Sequence, residues 1–301
     1  MIFDVIAMDE ISYDEKELTF LDQYKNTEKS SSQSNDIVIY ILGESFIDPL
    51  RIDGIEINKD PIPYMRSIMK DYTSGILYQS TIGGGTPKAE YEALTSFSNS
   101  FYHKSVSTPY QFPIPELDSH PMIGDLFENQ IAIHTLHAKL YRRVDVFNKF
   151  GFDTFRYDGS PTDDLVYKDK IEKHTSISDM SGFKEILDVI TTVPKDESGF
   201  VYLATMQNHT PYKKEAYENI EFKINNDYSP ETKDQFEAYL RGLNETDKAM
   251  QYLVKEVNKL DRNVTIVYFG DHYPPFAKDL VQNNENLKQI TLFIKTISKK
   301  S

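Results

Sequence analysis

The stretch IVIYILGESF, residues 37–46, places a short apolar run directly before a polar turn. A continuous run rich in β-branched residues is typical of a strand that is buried on both faces of a parallel sheet. Similar runs recur at 131–135, 200–204, 264–269 and 290–294. The pattern therefore predicts a layered α/β fold in which helices flank a mainly parallel central sheet.

Segments with helical spacing lie between the predicted strands. The clearest is 230–260, where apolar residues recur every three or four positions. Shorter helices are predicted at 63–70, 88–97, 122–129, 145–150 and 182–191. The polar, Ser-rich run at 26–36 shows no periodicity and is typical of a linker. We therefore expect a stem or linker over residues 1–36 and one folded domain over 37–301.

Composition excludes several classes of function. The 33 Lys and Arg residues face 47 Asp and Glu residues, and the net charge of −14 opposes attraction of nucleic acid, so we expect no nucleic-acid partner. The chain has no Cys, which excludes disulfides, thiolate zinc sites and thiol nucleophiles. No stretch approaches the roughly 18 to 20 apolar residues that a membrane-spanning helix needs.

Acidic groups follow two of the predicted strands. Glu44 comes after the strand at 37–42, and Asp271 with His272 comes after the strand at 264–269. Open α/β sheets bind ligands beyond the carboxyl ends of their strands, and a carboxylate and an imidazole can bind one cation there. A different interpretation stays open, in which Glu44 is a helix cap or surface group and Asp271 is a cap beside a partly exposed histidine.

The run GGGT, residues 83–86, precedes the predicted helix at 88–97. Three glycines let the backbone pass close to a ligand, and the free N–H groups of a first helical turn favour an anion. The run matches neither a Walker A loop nor a dinucleotide-binding fingerprint. A tight turn with Thr86 as an ordinary N-cap is the alternative.

Two further polar groups are weaker candidates when taken alone. His209 follows the predicted strand at 200–204 and is a candidate for proton transfer. Arg143, in the segment 137–143, is a candidate for binding a phosphate. Their weight comes from the motifs that accompany them.

Six motifs along the chain occur in a characteristic order. They are GESF with DP at 43–49, GGGT with Glu90 at 83–90, Arg143 with GFD at 151–153, ISD at 177–179, TMQNH with PY at 205–212, and GDH at 270–272. In this order they resemble the lipoteichoic acid synthase family of phosphoglycerol transferases, a branch of the alkaline phosphatase and sulfatase superfamily. The resemblance covers most of residues 37–275 and implies a sulfatase-like catalytic domain over 37–301.

The resemblance implies one divalent cation, Mn²⁺ or Mg²⁺, and a threonine nucleophile. The implied cation ligands are Glu44, Thr86, Asp271 and His272. Thr86 would be the nucleophile, because coordination to a dication lowers the pKa of a hydroxyl that is otherwise weakly nucleophilic. Carboxylate, imidazole and alkoxide ligands suit Mn²⁺ or Mg²⁺.

The resemblance also implies the residues around the substrate. His137, Arg143 and His209 would surround the glycerol phosphate, and Tyr141 stands where the family usually has a Trp. Arg143 would neutralise phosphate charge, and His209 would protonate the leaving alkoxide. In the implied cycle, Thr86 attacks a phosphatidylglycerol head group and releases diacylglycerol. The group then passes to a hydroxyl of lipoteichoic acid, a glycolipid or a wall polysaccharide.

Enzymes of this family commonly carry membrane helices ahead of an extracellular catalytic domain. The resemblance therefore implies a membrane-anchored full-length protein that acts at the extracellular face of the membrane. The alternatives are a phosphodiesterase, a phosphatase or another head-group transferase of the superfamily, or an inactive domain that binds glycerol phosphate. A sulfatase activity is disfavoured, since TPKAE at 86–90 lacks the Cys or Ser followed by x-Pro-x-Arg.

Overall fold

The computed structural model of the protein describes residues 35–79, 83–103, 105–279 and 289–297. The predicted stem lies outside this part, except for its last two residues. The strands are β1 Ile37–Gly43, β2 Thr73–Tyr78, β3 Asn129–His134, β4 Thr154–Tyr157, β5 Gly199–Ala204, β6 Val264–Gly270 and β7 Gln289–Ile297. The helices of eight or more residues are α1 Pro63–Asp71, α2 Thr86–Thr95, α3 Arg143–Phe150, α4 Asp179–Thr192, α5 Pro230–Val257.

One mixed sheet contains the seven described strands in the order β2-β7-β6-β1-β5-β3-β4. β1 pairs in parallel with β5 on one side and with β6 on the other, and β3 pairs in parallel with β5 and β4. Within the described sheet only β7 runs against its neighbours, β2 and β6. The prediction of a mainly parallel central sheet is confirmed.

Helices cover both faces of the sheet, as the fold class requires. On β1, Ile37, Ile39 and Ile41 belong to a core that also contains apolar residues of α1, α4 and α5. Leu42 belongs to the core on the opposite face, which includes apolar residues of α2 and α3. Because successive side chains of a strand point to opposite faces, a strand covered on both sides needs apolar residues at every position. This explains the uninterrupted run at 37–42.

The helix α5 matches its predicted spacing but ends three residues early. Ser229 caps it by accepting a hydrogen bond from the Thr232 N–H, and Pro230 occupies its first turn, where no N–H partner is needed. Residues 258–260 leave the helix before β6. Across the described ranges, no helix is both long enough and apolar enough to cross a membrane.

The sequence missed two strands and misassigned one helix. β2 and β4 form the two edges of the described sheet, and their side chains are mostly exposed or half-buried. An edge strand has no need for the continuous apolar run that marks a buried strand, so neither strand was detectable. The helix predicted at 122–129 is only a single 3₁₀ turn, Ile123–Leu126, because the chain enters β3 at Asn129.

Candidate active site

The carboxyl ends of β1 and β6 bring the two acidic candidates together. Gly43 and Gly270 are paired in register at the ends of these neighbouring strands, so the residues that follow them are adjacent. The chain segments approach closely here, since a Cβ on Gly270 would lie 2.0 Å from the carbonyl oxygen of Phe46. Glu44 and Asp271 are therefore neighbours although they lie far apart in the sequence.

Both carboxylates are buried and are held by backbone and hydroxyl donors. The Ser45 N–H donates to Asp271 Oδ1 at 2.8 Å, and the Ser45 hydroxyl donates to Glu44 Oε1 at 2.9 Å. Ser45 has a φ of 52°, a left-handed conformation that is uncommon outside glycine. Glu44 and Asp271 are 1% and 0% exposed. Glu44 is therefore not a surface group.

His272 presents one ring nitrogen to the two carboxylates. Its Nδ1 lies 2.9 Å from the carbonyl oxygen of Tyr273, which assigns the ring hydrogen to Nδ1 and leaves the lone pair on Nε2. Nε2 lies 3.2 Å from Asp271 Oδ2 and 3.6 Å from Glu44 Oε1. One ligand atom from each of the three residues lies within 4.8 Å of the others. Two carboxylates and an imidazole at this spacing can hold a divalent cation.

The electrostatics of the cluster fit a cation. Burial raises the pKa of Glu44 well above its ordinary value, and the neighbouring charge of Asp271 raises it further. Among the described residues, no Lys or Arg lies within ion-pair distance of either carboxylate. Two adjacent buried negative charges are unfavourable unless a positive charge compensates them. A divalent cation would supply that compensation.

The glycine run delivers Thr86 to this cluster. Gly83, Gly84 and Gly85 have φ values of 67°, 142° and 89°, which side-chain-bearing residues rarely adopt. The helix α2 then starts at Thr86, with Gly85 at the N-cap position. The Thr86 hydroxyl donates to Asp271 Oδ2 at 2.7 Å, whereas an N-cap hydroxyl would accept from a backbone N–H of the first turn. The interpretation of Thr86 as an ordinary N-cap is therefore wrong.

Arg143 lies in a second buried cluster, at the start of α3. Its Nη2 is 3.1 Å from Glu90 Oε2, and the two side chains are 3% and 0% exposed. Glu90 is on α2, one turn after Thr86, and it also accepts a hydrogen bond of 3.0 Å from the Tyr202 hydroxyl. The ring of Tyr141 lies 5.4 Å from the guanidinium carbon. Arg143 is thus held in one orientation by the helix that presents Thr86.

The structure places His134, rather than His137, beside Arg143. His134 is buried at the end of β3, with its Nε2 3.4 Å from Arg143 Nη1 and its Nδ1 3.1 Å from the carbonyl oxygen of Ala204. Burial lowers its pKa well below the ordinary value, and the charge of Arg143 lowers it further. His137 is exposed on the following loop. Sequence reasoning missed His134, although its position at a strand end was a signal that could have found it.

His209 lies exposed on the loop after β5. Its Nδ1 is 2.6 Å from the carbonyl oxygen of Thr210, which leaves Nε2 available for proton transfer. The residues before it are anchored to α5, because Gln207 Nε2 and Asn208 Nδ2 each donate to Thr246 Oγ1, at 3.1 and 3.0 Å. The start of the loop is therefore anchored to α5, and His209 faces solvent.

A layered sheet that carries a threonine, two buried carboxylates and an imidazole at its carboxyl edge defines a protein of the alkaline phosphatase and sulfatase superfamily. The family model described as Sulfatase matches residues 36–295, and the chain belongs to this family.

Two curated relatives from Rhizobium meliloti (strain 1021) are similar in sequence. One, named for cyclic beta-1,2-glucan modification, is 32% identical over 242 residues, which are 79% of this chain and 36% of that protein. The other, the capsular polysaccharide biosynthesis protein RkpI, is 26% identical over 246 residues, which are 79% of this chain and 41% of that protein. The chain thus spans less than half the length of either relative.

Solved structures support the family resemblance. The Streptococcus pyogenes phosphoglycerol transferase GacH in complex with sn-glycerol-1-phosphate matches with a TM-score of 0.81 and 25% identity, over 95% of this chain and 74% of that one. The lipoteichoic acid synthase LtaP from Listeria monocytogenes matches with a TM-score of 0.66 and 19% identity, over 89% and 67%. The C-terminal periplasmic domain of EcEptC from Escherichia coli, in complex with Zn, shares the fold with a TM-score of 0.60 and 16% identity, over 91% and 76%. The predicted resemblance to phosphoglycerol transferases is confirmed.

Proposed function

We propose that the protein is a metal-dependent phosphoglycerol transferase that moves glycerol phosphate from phosphatidylglycerol to a hydroxyl of a cell-envelope saccharide. The observation that carries this proposal is the 2.7 Å hydrogen bond from the Thr86 hydroxyl to Asp271, within a buried set of cation ligands. The likeness to a phosphoglycerol transferase in complex with sn-glycerol-1-phosphate supports the choice of group. The names of the two curated relatives support a saccharide acceptor.

The proposed cation ligands are Glu44, Thr86, Asp271 and His272. A bound divalent cation, Mn²⁺ or Mg²⁺, lowers the pKa of the threonine hydroxyl and polarises a phosphoryl oxygen. The hydrogen bonds from Ser45 keep both carboxylates in place. The tautomer of His272 keeps its Nε2 lone pair directed toward them.

In the first half-reaction, Thr86 Oγ1 forms a bond to phosphorus while the bond from phosphorus to the diacylglycerol oxygen breaks. The Thr86 proton passes to Asp271 Oδ2, its hydrogen-bond partner. His209 Nε2 gives a proton to the diacylglycerol oxygen, so diacylglycerol leaves as a neutral alcohol. The chain then carries a glycerophospho-threonine.

In the second half-reaction, an acceptor hydroxyl forms a bond to phosphorus and the bond from Thr86 to phosphorus breaks. His209 Nε2, now unprotonated, takes the proton of the acceptor hydroxyl. Thr86 recovers its proton from Asp271. Water in place of the acceptor gives free glycerol phosphate.

Arg143 is the proposed phosphate-binding group. A guanidinium has five N–H donors, and the contacts to Glu90 and His134 occupy three of them. Two N–H groups are left for phosphoryl oxygens. His134 accepts from Arg143 with its Nε2 and so helps to orient the guanidinium, while Tyr141 lies over it.

We place the reaction outside the cytoplasm. The related EcEptC structure is a C-terminal periplasmic domain, which supports this placement. The whole protein is therefore proposed to be membrane-anchored.

The test is release of diacylglycerol from phosphatidylglycerol in detergent micelles, with and without Mn²⁺. Wild type should release diacylglycerol only with the cation, and mass spectrometry should find the glycerophosphoryl group on Thr86. Thr86→Ala should abolish release while the protein stays folded, whereas Glu44→Gln should lose cation binding. Thr191→Ala, an exposed threonine on α4, is the matched control.

Three results would contradict the proposal. Undiminished release by Thr86→Ala would show that Thr86 is not the nucleophile. Release without any divalent cation would show that the reaction does not depend on a metal. A preference for phosphatidylethanolamine over phosphatidylglycerol would instead assign the other head-group transferase activity of the superfamily.

A further inference from the structure

A cavity of about 320 Å³ lies between the loops that follow β3 and β4. Its lining includes His137, Ala138 and Lys139 after β3, Val144 in the first turn of α3, and Tyr157 and Asp158 at the end of β4. The Asp158 N–H donates to the carbonyl oxygen of Leu136 at 3.3 Å, which ties the two loops together. The volume falls in the range of small-molecule sites.

The cavity adjoins the cluster that contains Arg143. Val144 directly follows Arg143 in the chain. His137 in the lining lies three residues after His134, which contacts Arg143 in that cluster. β3 and β4 run parallel to β1 and β6, so the cavity and the carboxylate cluster lie at the same edge of the sheet.

The lining combines apolar surface with charged groups. Ala138, Val144 and the Tyr157 ring provide surface against which the C–H faces of a sugar ring can pack. The Asp158 carboxylate can accept hydrogen bonds from sugar hydroxyls, and the Lys139 ammonium can donate to them. Asp158 is held by Lys168, whose Nζ lies 2.9 Å from Asp158 Oδ1. The charges of Lys139 and Asp158 offset each other in the lining, which favours a neutral ligand over a polyanionic chain.

We infer that this cavity binds a neutral saccharide unit of the acceptor, whose hydroxyl receives the glycerol phosphate. The inference rests on the proposed function and specifies its second substrate. It assigns His137, Lys139 and Asp158 to the acceptor rather than to the phosphate. On this assignment the buried clusters react with the donor lipid, and the loops after β3 and β4 determine which acceptor binds.

The experiment measures how the glycerophosphoryl group partitions between water and a β-1,2-linked glucan oligosaccharide. Lys139→Ala removes a hydrogen-bond donor, and Val144→Trp fills the cavity with a larger ring. Each should lower the ratio of transfer to hydrolysis about tenfold, which corresponds to about 1.4 kcal/mol of acceptor binding. Lys255→Ala, an exposed lysine near the end of α5, should leave the ratio unchanged.

A second measurement detects the same glucan by saturation-transfer NMR without any donor lipid. Wild type should show contact with the sugar protons, and Val144→Trp should lose it. This readout separates the two proposals, since a chain that releases no diacylglycerol can still bind glucan in the cavity.

Two outcomes would overturn the inference. If both variants partition and bind glucan as wild type does, the cavity is not the acceptor site. If the variants instead impair transfer to a glycerol phosphate oligomer while glucan neither binds nor reacts, the cavity serves an anionic acceptor.

Discussion

Replacing Glu90 by Gln tests the buried ion pair that links the nucleophile's helix to Arg143. The substitution keeps the shape of the side chain and removes its charge. Arg143 Nη2 then loses a carboxylate at 3.1 Å, in a site where the arginine is only 3% exposed. The Tyr202 hydroxyl keeps an oxygen to which it can donate. The main change is therefore an uncompensated buried positive charge.

The expected cost in the free energy of unfolding is about 3–5 kcal/mol, the usual range when one partner of a buried ion pair is removed. The neighbouring pair between Arg142 and Glu116 provides a matched control, because its side chains are 47% and 64% exposed. Glu116→Gln should cost only about 0–1 kcal/mol. The double variant Glu90→Gln with Arg143→Met should cost less than the sum of the single variants, since it buries no unpaired charge.

Urea unfolding monitored by tyrosine fluorescence and circular dichroism gives these free energies. A value for Glu90→Gln within about 1 kcal/mol of wild type would refute the reasoning, as would strict additivity in the double variant. Turnover adds a second readout. If Glu90 orients the phosphate-binding arginine, a folded Glu90→Gln protein should show a raised KM for phosphatidylglycerol at Mn²⁺ saturation.

The remaining predictions concern pH, backbone packing and the cation. The pKa of His134 is lowered in the folded state, so the neutral side chain contributes fully to folding stability above the ordinary histidine pKa, and this contribution is lost as pH falls below it. Between pH 7 and 5, the free energy of unfolding of wild type should fall by up to about 1.4 kcal/mol per pH unit more than that of His134→Gln, as measured in urea titrations. Gly270→Ala would place a Cβ 2.0 Å from the carbonyl oxygen of Phe46 and should lower the free energy of unfolding by about 1–3 kcal/mol or more, as measured by thermal melts. In the same melts the control Gly75→Ala, whose Cβ meets no atom within 4 Å, should unfold as wild type does. Because burial raises the pKa of Glu44, Mn²⁺ affinity measured by calorimetry should weaken as pH falls; a pH-independent affinity would contradict its role as a ligand.

The central strands could be predicted because of where they lie in the sheet. β1, β5 and β6 have neighbours on both sides and helices on both faces, so the fold requires an apolar residue at nearly every position. The edge strands β2 and β4 carry no such requirement and left no pattern to recognise. Helix α2 begins two residues before its predicted start, since Gly85 takes the N-cap position and Thr86 and Pro87 open the first turn.

The candidate site was predicted only in part. Glu44, Asp271 and His272 follow strands, and their approach follows from the pairing of Gly43 with Gly270. The catalytic and cation-binding roles of these residues stay predictions until the experiments are done. His134 was missed because the family resemblance implied His137, the next histidine along the chain, whereas the end of β3 turns His134 into the core.

The sequence by itself determined the layered α/β class, the central strands and the chemical types at the strand ends. These are local properties, since periodicity records the burial of a segment and a motif records the order of its residues. Only the tertiary structure decided that Glu90 pairs with Arg143, that His134 lies beside them, and that a cavity forms between two loops. Such contacts join residues that are far apart in the chain. They form because the order of the strands in the sheet determines which segments become neighbours.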